Sequence, residues 1–266
     1  DVTHPLSIQY QTLKSTADTN KKILLEQQLK DSLQQGAIDV NIMTKLDRDN
    51  KDSDGNILPA EYSDACSGIR GFHNSKIKAG VVLSAGFNRR LFAYMENLDG
   101  FFPDENGTIN KQIILKVTDY RSSLTQGKFF AKKGLWVSEY RVESGLNCGG
   151  HAFASEGQVL GTILEEFKSK RQELEASLYE MCSAVLKEKN RPMFKTIPSS
   201  KLTVQGGIGT ANEDAFLRDY FECDGTGWGT PFLLVPEATT IDMGTRELLK
   251  EAEEKDTFLS GISPLG

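Results

Sequence analysis

The sequence is poor in the residues that build metal clusters, disulfide frameworks and membrane spans. Its 266 residues include only four cysteines and three histidines, and no CxxC pair occurs. Zinc and iron–sulfur sites need closely spaced ligands, so we expect no metal site. No apolar run reaches the ~18 residues that a transmembrane helix needs, so we predict no membrane partner. Few, widely spaced cysteines are typical of reduced thiols, and we therefore expect a cytoplasmic protein.

An excess of positive charge is also absent. The chain has 31 basic and 37 acidic residues and a net charge of −6. A protein that binds the nucleic-acid backbone needs a basic face, so we predict no nucleic-acid partner, although a local basic pocket for one phosphate remains open. With 38% hydrophobic and 26% charged residues, the composition is that of a globular domain and excludes wholesale disorder.

Short apolar runs alternate along the chain with segments of helical pattern. This order predicts right-handed βαβ crossovers and a parallel sheet, either a (β/α)8 barrel or a doubly wound sheet. Both folds bind ligands at the carboxyl ends of the strands, so the loops that follow the strands are the candidate site. The predicted strands cover residues 37–43, 80–86, 112–117, 135–140 and 202–205. The predicted helices cover residues 19–35, 88–97, 122–133, about 156–189, 212–220 and 245–255.

The loop from Glu143 to His151 is the most informative of these. It follows a predicted strand, and its paired glycines Gly149 and Gly150 allow a backbone to approach a ligand closely. His151 is the single histidine in such a loop, and an imidazole there is suited to act as an acid or a base. The alternative is a tight turn with an incidental histidine.

Two further glycine-rich loops follow the last predicted strand and the helix after it. Residues 205–210 read Gln-Gly-Gly-Ile-Gly-Thr, and residues 226–232 read Thr-Gly-Trp-Gly-Thr-Pro-Phe. Backbone amides at a helix N-terminus bind phosphate, and in barrels the loops after the last two strands often do so together. Either loop alone is also compatible with a simple turn.

The order of four segments resembles the nitronate monooxygenase family. The segments are Ile114–Val117, Cys148–His151, Gln205–Gly209 and Gly227–Phe232, and the resemblance covers about residues 37–240. It implies an α/β fold of the (β/α)8 TIM-barrel type with FMN as the cofactor. The implied activity is oxidation of a small nitronate-like carbon acid by flavin and O2. The related FMN-dependent enoyl reductases, which use NAD(P)H, are the alternative within the enzymes.

The resemblance also implies roles for individual residues. His151 would be the catalytic residue, in a loop shaped by Gly149 and Gly150. Asn41 and Lys116 would contact the flavin ring or its ribityl chain, and a cation near the N1–O2 edge of the ring stabilises negative charge there. The FMN phosphate would be bound by Gly206, Gly207, Gly229 and Thr230. A lysine that merely lies on the surface of a strand is the alternative for Lys116.

The same resemblance predicts one barrel domain over residues 1–266, with a core at about 37–240. A long helical insertion at about 156–190 is suited to assembly, so a homo-oligomer is an expectation. The strand at 39–43 resembles the third strand of such a barrel. The barrel is therefore expected to be incomplete at its N-terminus, as in a fragment of a larger protein, unless Leu6–Tyr10 supplies a strand.

A competing site is the segment from Asn50 to Glu61, which resembles the calcium loop of an EF-hand. Its oxygen-bearing residues and Gly55 have the required spacing. Asn50 in the first position, Pro59 inside the loop and the preceding strand favour a solvated polar turn instead. A non-catalytic calcium- or partner-binding module is therefore the alternative from a different functional class.

Overall fold

The computed structural model describes residues 3–33, 36, 38–43, 47–84, 87–143, 160–229, 233–236 and 239–256. The chain divides into two compact units, Asp1–Ile38 and Asp39–Gly266. The second unit begins within two residues of the predicted start of the barrel core. The prediction that the whole chain is one domain stays a prediction.

The first unit contains two helices, α1 (Pro5–Ser15) and α2 (Thr19–Ser32). Pro5 stands in the first turn of α1, where its missing N–H is no loss, and the ring of His4 accepts a hydrogen bond from the amide of Leu6. Asp18 caps α2 in the same way. The possibility of a strand at Leu6–Tyr10 is therefore wrong, because these residues form part of α1.

The second unit contains a parallel sheet of six strands whose order in space is their order in the chain. The strands are β1 (Val40–Met43), β2 (Ala79–Ser84), β3 (Lys111–Val117), β4 (Val137–Glu143), β5 (Lys201–Gln205) and β6 (Gly225–Gly227). The helices are α3 (Asp64–Asn74), α4 (Arg89–Tyr94), α5 (Tyr120–Ala131), α6 (Leu160–Glu188), α7 (Ala211–Asp219) and α8 (Met243–Glu251). The predicted α/β fold with a parallel sheet is confirmed. Chain-order pairing gives a curled half-barrel of the kind found in barrels, and it excludes the doubly wound alternative for these strands.

The hydrophobic core lies between one face of the sheet and the helices. Alternate residues of β3, such as Ile113 and Leu115, are fully buried in this core. The 29-residue helix α6 connects β4 to β5 and covers most of the predicted helical insertion. Its buried side chains recur at helical spacing and belong to the same core: Ile163, Leu164, Phe167, Leu174, Leu178, Cys182 and Leu186. This crossover helix is therefore an integral part of the core.

Helix ends follow local capping chemistry. Asp119 and Ser122 form a reciprocal capping box at the start of α5. Gly134 follows α5 with a φ of +79°, a conformation that glycine adopts without steric cost. These residues fix where the predicted helix at 122–133 begins and ends. No helix in the described part of the chain is both long and apolar enough to cross a membrane.

Candidate functional site

The candidate site is the face of the sheet that points away from the helices, which we call the inner face. On β3 this face carries Gln112, Ile114 and Lys116, which alternate with the core residues. Close approaches across neighbouring strands identify the residues that share it. A Cβ atom on Gly80 would lie 2.5 Å from the Cδ1 atom of Ile114, and one on Gly225 would lie 3.3 Å from the Cγ2 atom of Thr203. Polar and charged side chains such as Gln112, Lys116 and Thr203 therefore lie on the inner face.

A partly buried network of charges lies on the inner face. Arg141 of β4 donates from Nε to Glu139, with 2.7 Å between the atoms, and its Nη2 atom lies 3.4 Å from Asp39. The hydroxyl of Thr203 on β5 also donates to Glu139, at 2.6 Å. Glu139 is only 8% exposed, so it depends on these partners. The network links Asp39, the residue just before β1, to β4 and β5.

A second ion pair lies nearer the carboxyl edge of the sheet. Lys116, the last residue but one of β3, pairs with Glu143, the last residue of β4. The side chain of Glu143 is 9% exposed and that of Lys116 is 23% exposed. Lys116 is thus a partly buried, ion-paired cation on the inner face.

The first glycine-rich loop follows β5 directly. Gly206 and Gly207 have φ angles of +84° and +74°, so both adopt the left-handed conformation that favours glycine. The loop leads to Thr210, which caps α7. The carboxylate of Glu213 accepts hydrogen bonds from the amides of Gly209 and Thr210, each at 2.9 Å. A carboxylate of the protein therefore already engages the amides at this helix start.

These hydrogen bonds also act on the charge of Glu213. The bond from the Gly209 amide, with the bonds from Thr210, holds the pKa of Glu213 below its usual value. The side chain is consequently ionised at neutral pH. Any phosphate bound next to it would meet a negative charge.

The second glycine-rich segment begins with a strand, which the sequence did not indicate. Residues 225–227 form β6, and a Cβ atom on Gly227 would lie 2.6 Å from the Cγ atom of Gln205 on β5. Thr226 donates to Asp214 of α7 and accepts from the indole of Trp228 at 3.0 Å. These contacts tie β6 to α7. Trp228 also packs against the core, so its role at this edge of the sheet is structural.

The structure brings several of the predicted cofactor residues to one edge. Asn41 lies on β1 and Lys116 near the end of β3, while Gly206 and Gly207 follow β5 and Gly229 follows β6. Because all six strands are parallel, Lys116 and the three glycines belong to the same carboxyl edge of the sheet, whereas Asn41 is the second residue of β1 and lies further from that edge. A Cβ atom on Gly229 would meet none of the described residues within 4 Å. His151, Gly149, Gly150 and Thr230 lie outside the described residues.

The sequence motifs do not contain the partners of these residues. In β4 the inner-face residues are Glu139, Arg141 and Glu143, three charges at a spacing of two. Charged residues at every second position of a buried strand indicate that one face of the sheet, here the inner face, is polar. Which charge pairs with which depends on the strand register, and the sequence does not reveal that register.

A further carboxylate organises the connection between β1 and α3. Asp47 accepts hydrogen bonds from Arg90, at 2.6 Å, and from Asn88 and the amide of Ala65. Burial raises the pKa of Asp47, but these hydrogen bonds outweigh it and hold the pKa below its usual value. Asp47 therefore anchors this connection as an ionised group.

The segment from Asn50 to Glu61 forms a turn closed by its own hydrogen bonds. The Oδ1 atom of Asp52 accepts from the amides of Asp54 and Asn56, at 2.9 and 2.8 Å. Among the described residues before it, β1 is a strand and residues 47–49 are not helical, so the first helix of an EF-hand is not found there. Across the described ranges, no group of three or more His, Cys, Asp or Glu residues is placed to hold a metal ion.

Comparison with known proteins adds no family. No protein-family model matches the chain, and no curated protein matches it. Functional inference therefore depends on the motifs and on the geometry of the inner face.

Proposed function

We propose that this chain forms the FMN-binding barrel of a flavin-dependent oxidoreductase that resembles the nitronate monooxygenases. The observation that carries the proposal is the shared edge: Lys116, Gly206, Gly207 and Gly229 lie near or beyond the carboxyl ends of β3, β5 and β6, while Asn41 lies in the first half of β1. The motifs lie far apart in the chain. Their common edge is the arrangement that a barrel enzyme requires.

The fold proposed for the full protein is a (β/α)8 barrel. The six strands pair in chain order, and they correspond in our proposal to the third to eighth strands of the barrel. A charged inner face supports this assignment, because the inner surface of a barrel converges on the ligand at its carboxyl end. Two further strands are required to close it.

The described residues fit FMN at three points. Gly206 and Gly207 combine left-handed backbone with the absence of a side chain, which suits close approach to a phosphate. Gly229 presents no side chain at the neighbouring loop. Lys116 supplies a partly buried cation on the inner face. Because Glu213 engages the amides of Gly209 and Thr210, we assign the phosphate to Gly206, Gly207, Gly229 and Thr230.

In the proposed reaction the chain binds and orients the flavin, and it exchanges a proton with the substrate. Bound FMN would supply the capacity to accept electrons from the substrate and pass them to O2. Lys116 would hold a positive charge beside the flavin ring, and Asn41 would orient it by hydrogen bonding. His151 would exchange a proton with the substrate or stabilise charge that develops on it. The substrate class we propose is a small nitronate-like carbon acid.

The proposal is tested by cofactor content and then by turnover. The purified protein, supplied with FMN, should show the visible absorbance of oxidised flavin and release FMN on denaturation. His151→Asn should retain FMN and lose on the order of a hundredfold or more in turnover. A colourless protein that takes up no FMN, and that calcium stabilises instead, would overturn the proposal in favour of the calcium-binding alternative.

The substrate screen separates the two flavin chemistries. Turnover of alkyl nitronates with O2 supports the proposed activity. Turnover of an enoyl substrate that depends on NAD(P)H, with no reaction on nitronates, would favour the enoyl reductase alternative. Both assays use the same FMN-loaded protein, so they differ only in the substrate and the electron donor.

A further inference from the structure

We infer that Glu143 is a positioning residue that holds the ammonium group of Lys116 at the carboxyl edge of the sheet, where it meets the cofactor. This inference rests on the proposed function. It assigns a role to a residue that the motifs do not contain. The observations that support it are the strand register, the placement of the other inner-face charges and the burial of the pair.

The strand register places two positive charges next to each other. Lys116 of β3 lies directly opposite Arg141 of β4, and both belong to the inner face. Like charges directly opposite each other on neighbouring strands repel. Lys116 and Arg141 therefore need separate carboxylates, or one of the two side chains must leave the face.

Different carboxylates of the inner face pair with Arg141 and with Lys116. Glu139 and Asp39 engage Arg141, and Glu139 is held further by the hydroxyl of Thr203. Glu143 lies two residues beyond Arg141, on the same face and closer to the carboxyl edge. It pairs with Lys116. The Lys116 side chain is thus directed along the sheet toward the edge that carries the predicted cofactor residues.

The burial of Glu143 restricts the direction in which the Lys116 side chain can point. A lysine side chain has a flexible four-carbon stem and samples many rotamers unless its ammonium group has a fixed partner. The side chain of Glu143 is only 9% exposed, and a buried carboxylate is costly unless it is paired. Glu143 is therefore a partner that cannot easily turn away into solvent. Loss of its charge would leave Lys116 beside Arg141 without this restraint.

The test is a double-mutant cycle on FMN affinity and on the midpoint potential of bound FMN. The variants are Glu143→Gln, Lys116→Met and the double variant in the full chain. We expect Glu143→Gln to weaken FMN binding by roughly tenfold, the usual order when a group that orients a ligating side chain is lost. We also expect it to shift the midpoint potential. In the Lys116→Met background, Glu143→Gln should change neither quantity further.

Two more variants make the test specific. Glu143→Asp keeps the charge and should recover most of the affinity, whereas Glu180→Gln removes a similar charge from the exposed surface of α6 and should change neither quantity. If Glu143→Gln fails to fold, Glu143→Asp alone and in the Lys116→Met background supplies the cycle, because any residual loss of FMN affinity from the shortened carboxylate should disappear when Lys116 is absent.

The outcomes separate this inference from the proposed function. Wild-type protein that binds no FMN overturns both. Wild-type protein that binds FMN, with unchanged affinity and potential in Glu143→Gln, overturns the positioning role alone. Additive effects of the two substitutions would also overturn it, because Glu143 would then act independently of Lys116.

Discussion

The hydroxyl of Tyr140 lies where a side chain on Gly127 would have to go: a Cβ atom at Gly127 would be 2.6 Å from that oxygen. Gly127 is on α5 and Tyr140 is on β4, so this contact fixes how closely the helix approaches the sheet. The same Cβ atom would lie 2.7 Å from Leu178 of α6. Three elements of the core therefore meet at a position that only glycine fits.

We predict that Gly127→Ala destabilises the protein. Overpacking a filled core costs about 1–3 kcal/mol, which exceeds the gain of up to about 1 kcal/mol from replacing a helical glycine. The free energy of unfolding from urea titration should fall accordingly. The matched control is Gly71→Ala on α3, where an added Cβ would meet nothing within 4 Å. That control should be neutral or slightly stabilising, and equal effects of the two substitutions would contradict the prediction.

A second prediction concerns the anchor at Asp47. Asp47→Asn should lower the free energy of unfolding by about 1–3 kcal/mol at neutral pH, because it weakens charge-assisted hydrogen bonds from Arg90 and the Ala65 amide. Asp219→Asn, on an exposed residue at the end of α7, is the control and should have little effect. Equal free energies of unfolding in the two variants would contradict the anchoring role of Asp47.

The pH dependence of Asp47 has a definite sign. Its pKa is lower in the folded protein than the ordinary value of 3.8, so the stability that it contributes is present above that value and is lost as the pH falls further. Wild-type protein should therefore lose more stability in acid than Asp47→Asn does. Parallel acid-unfolding curves for the two proteins would contradict this expectation.

A third prediction concerns stability in alkaline solution. Burial raises the pKa of Cys182 to about 12 and that of Cys223 to about 11, from an ordinary value of 9.0. Because the folded-state values are raised, the contribution of these thiols is complete below pH 9.0 and is lost as the pH rises toward 11–12.

Urea unfolding at increasing alkaline pH measures this loss. Each thiol contributes a slope of at most about 1.4 kcal/mol per pH unit. Cys182→Ala removes one of the two ionising groups, so its stability should fall less steeply with pH than that of the wild type. The substitution also lowers stability at neutral pH by opening a small cavity, so the slope is the quantity to compare. Identical slopes in the two proteins would contradict the prediction.

A fourth prediction concerns the start of α7. Glu213→Gln removes a negative charge beside the glycine loop after β5, so it should tighten FMN binding by about two- to fivefold if the phosphate lies there. Isothermal titration with FMN and with riboflavin, which lacks the phosphate, separates the effect. Affinity for riboflavin should not change. An equal change for both ligands would place the phosphate elsewhere.

Much of the fold was predictable because it is encoded locally. The apolar run at 112–117 predicted β3, and the long helical pattern at about 156–189 predicted α6. β6 was not predictable, since its three residues include two glycines and carry no apolar signal. β6 pairs with β5, and Gln205 lies where a side chain at Gly227 would otherwise stand.

The site was predictable only in part, and for a similar reason. Lys116 stood out as a cation inside an apolar run, and its position on the inner face agrees with that signal. Glu143 was visible only as one end of a loop. Its pairing with Lys116 arises from the β3–β4 register, which includes an irregularity between Ile113 and Ile114. Such a one-residue shift changes which charges meet, and local sequence does not specify it.

Pairing in chain order also has a consequence for synthesis on the ribosome. Each strand from β2 to β6 pairs with the strand made just before it, so no pairing in this sheet waits for a distant partner. Parallel strand pairing is intrinsically slow, because each crossover connection must close before the pairing forms. A nascent chain can extend the sheet one βα unit at a time, with the newest strand as its exposed edge. That transient edge, rather than the finished sheet, is where aggregation during expression should begin.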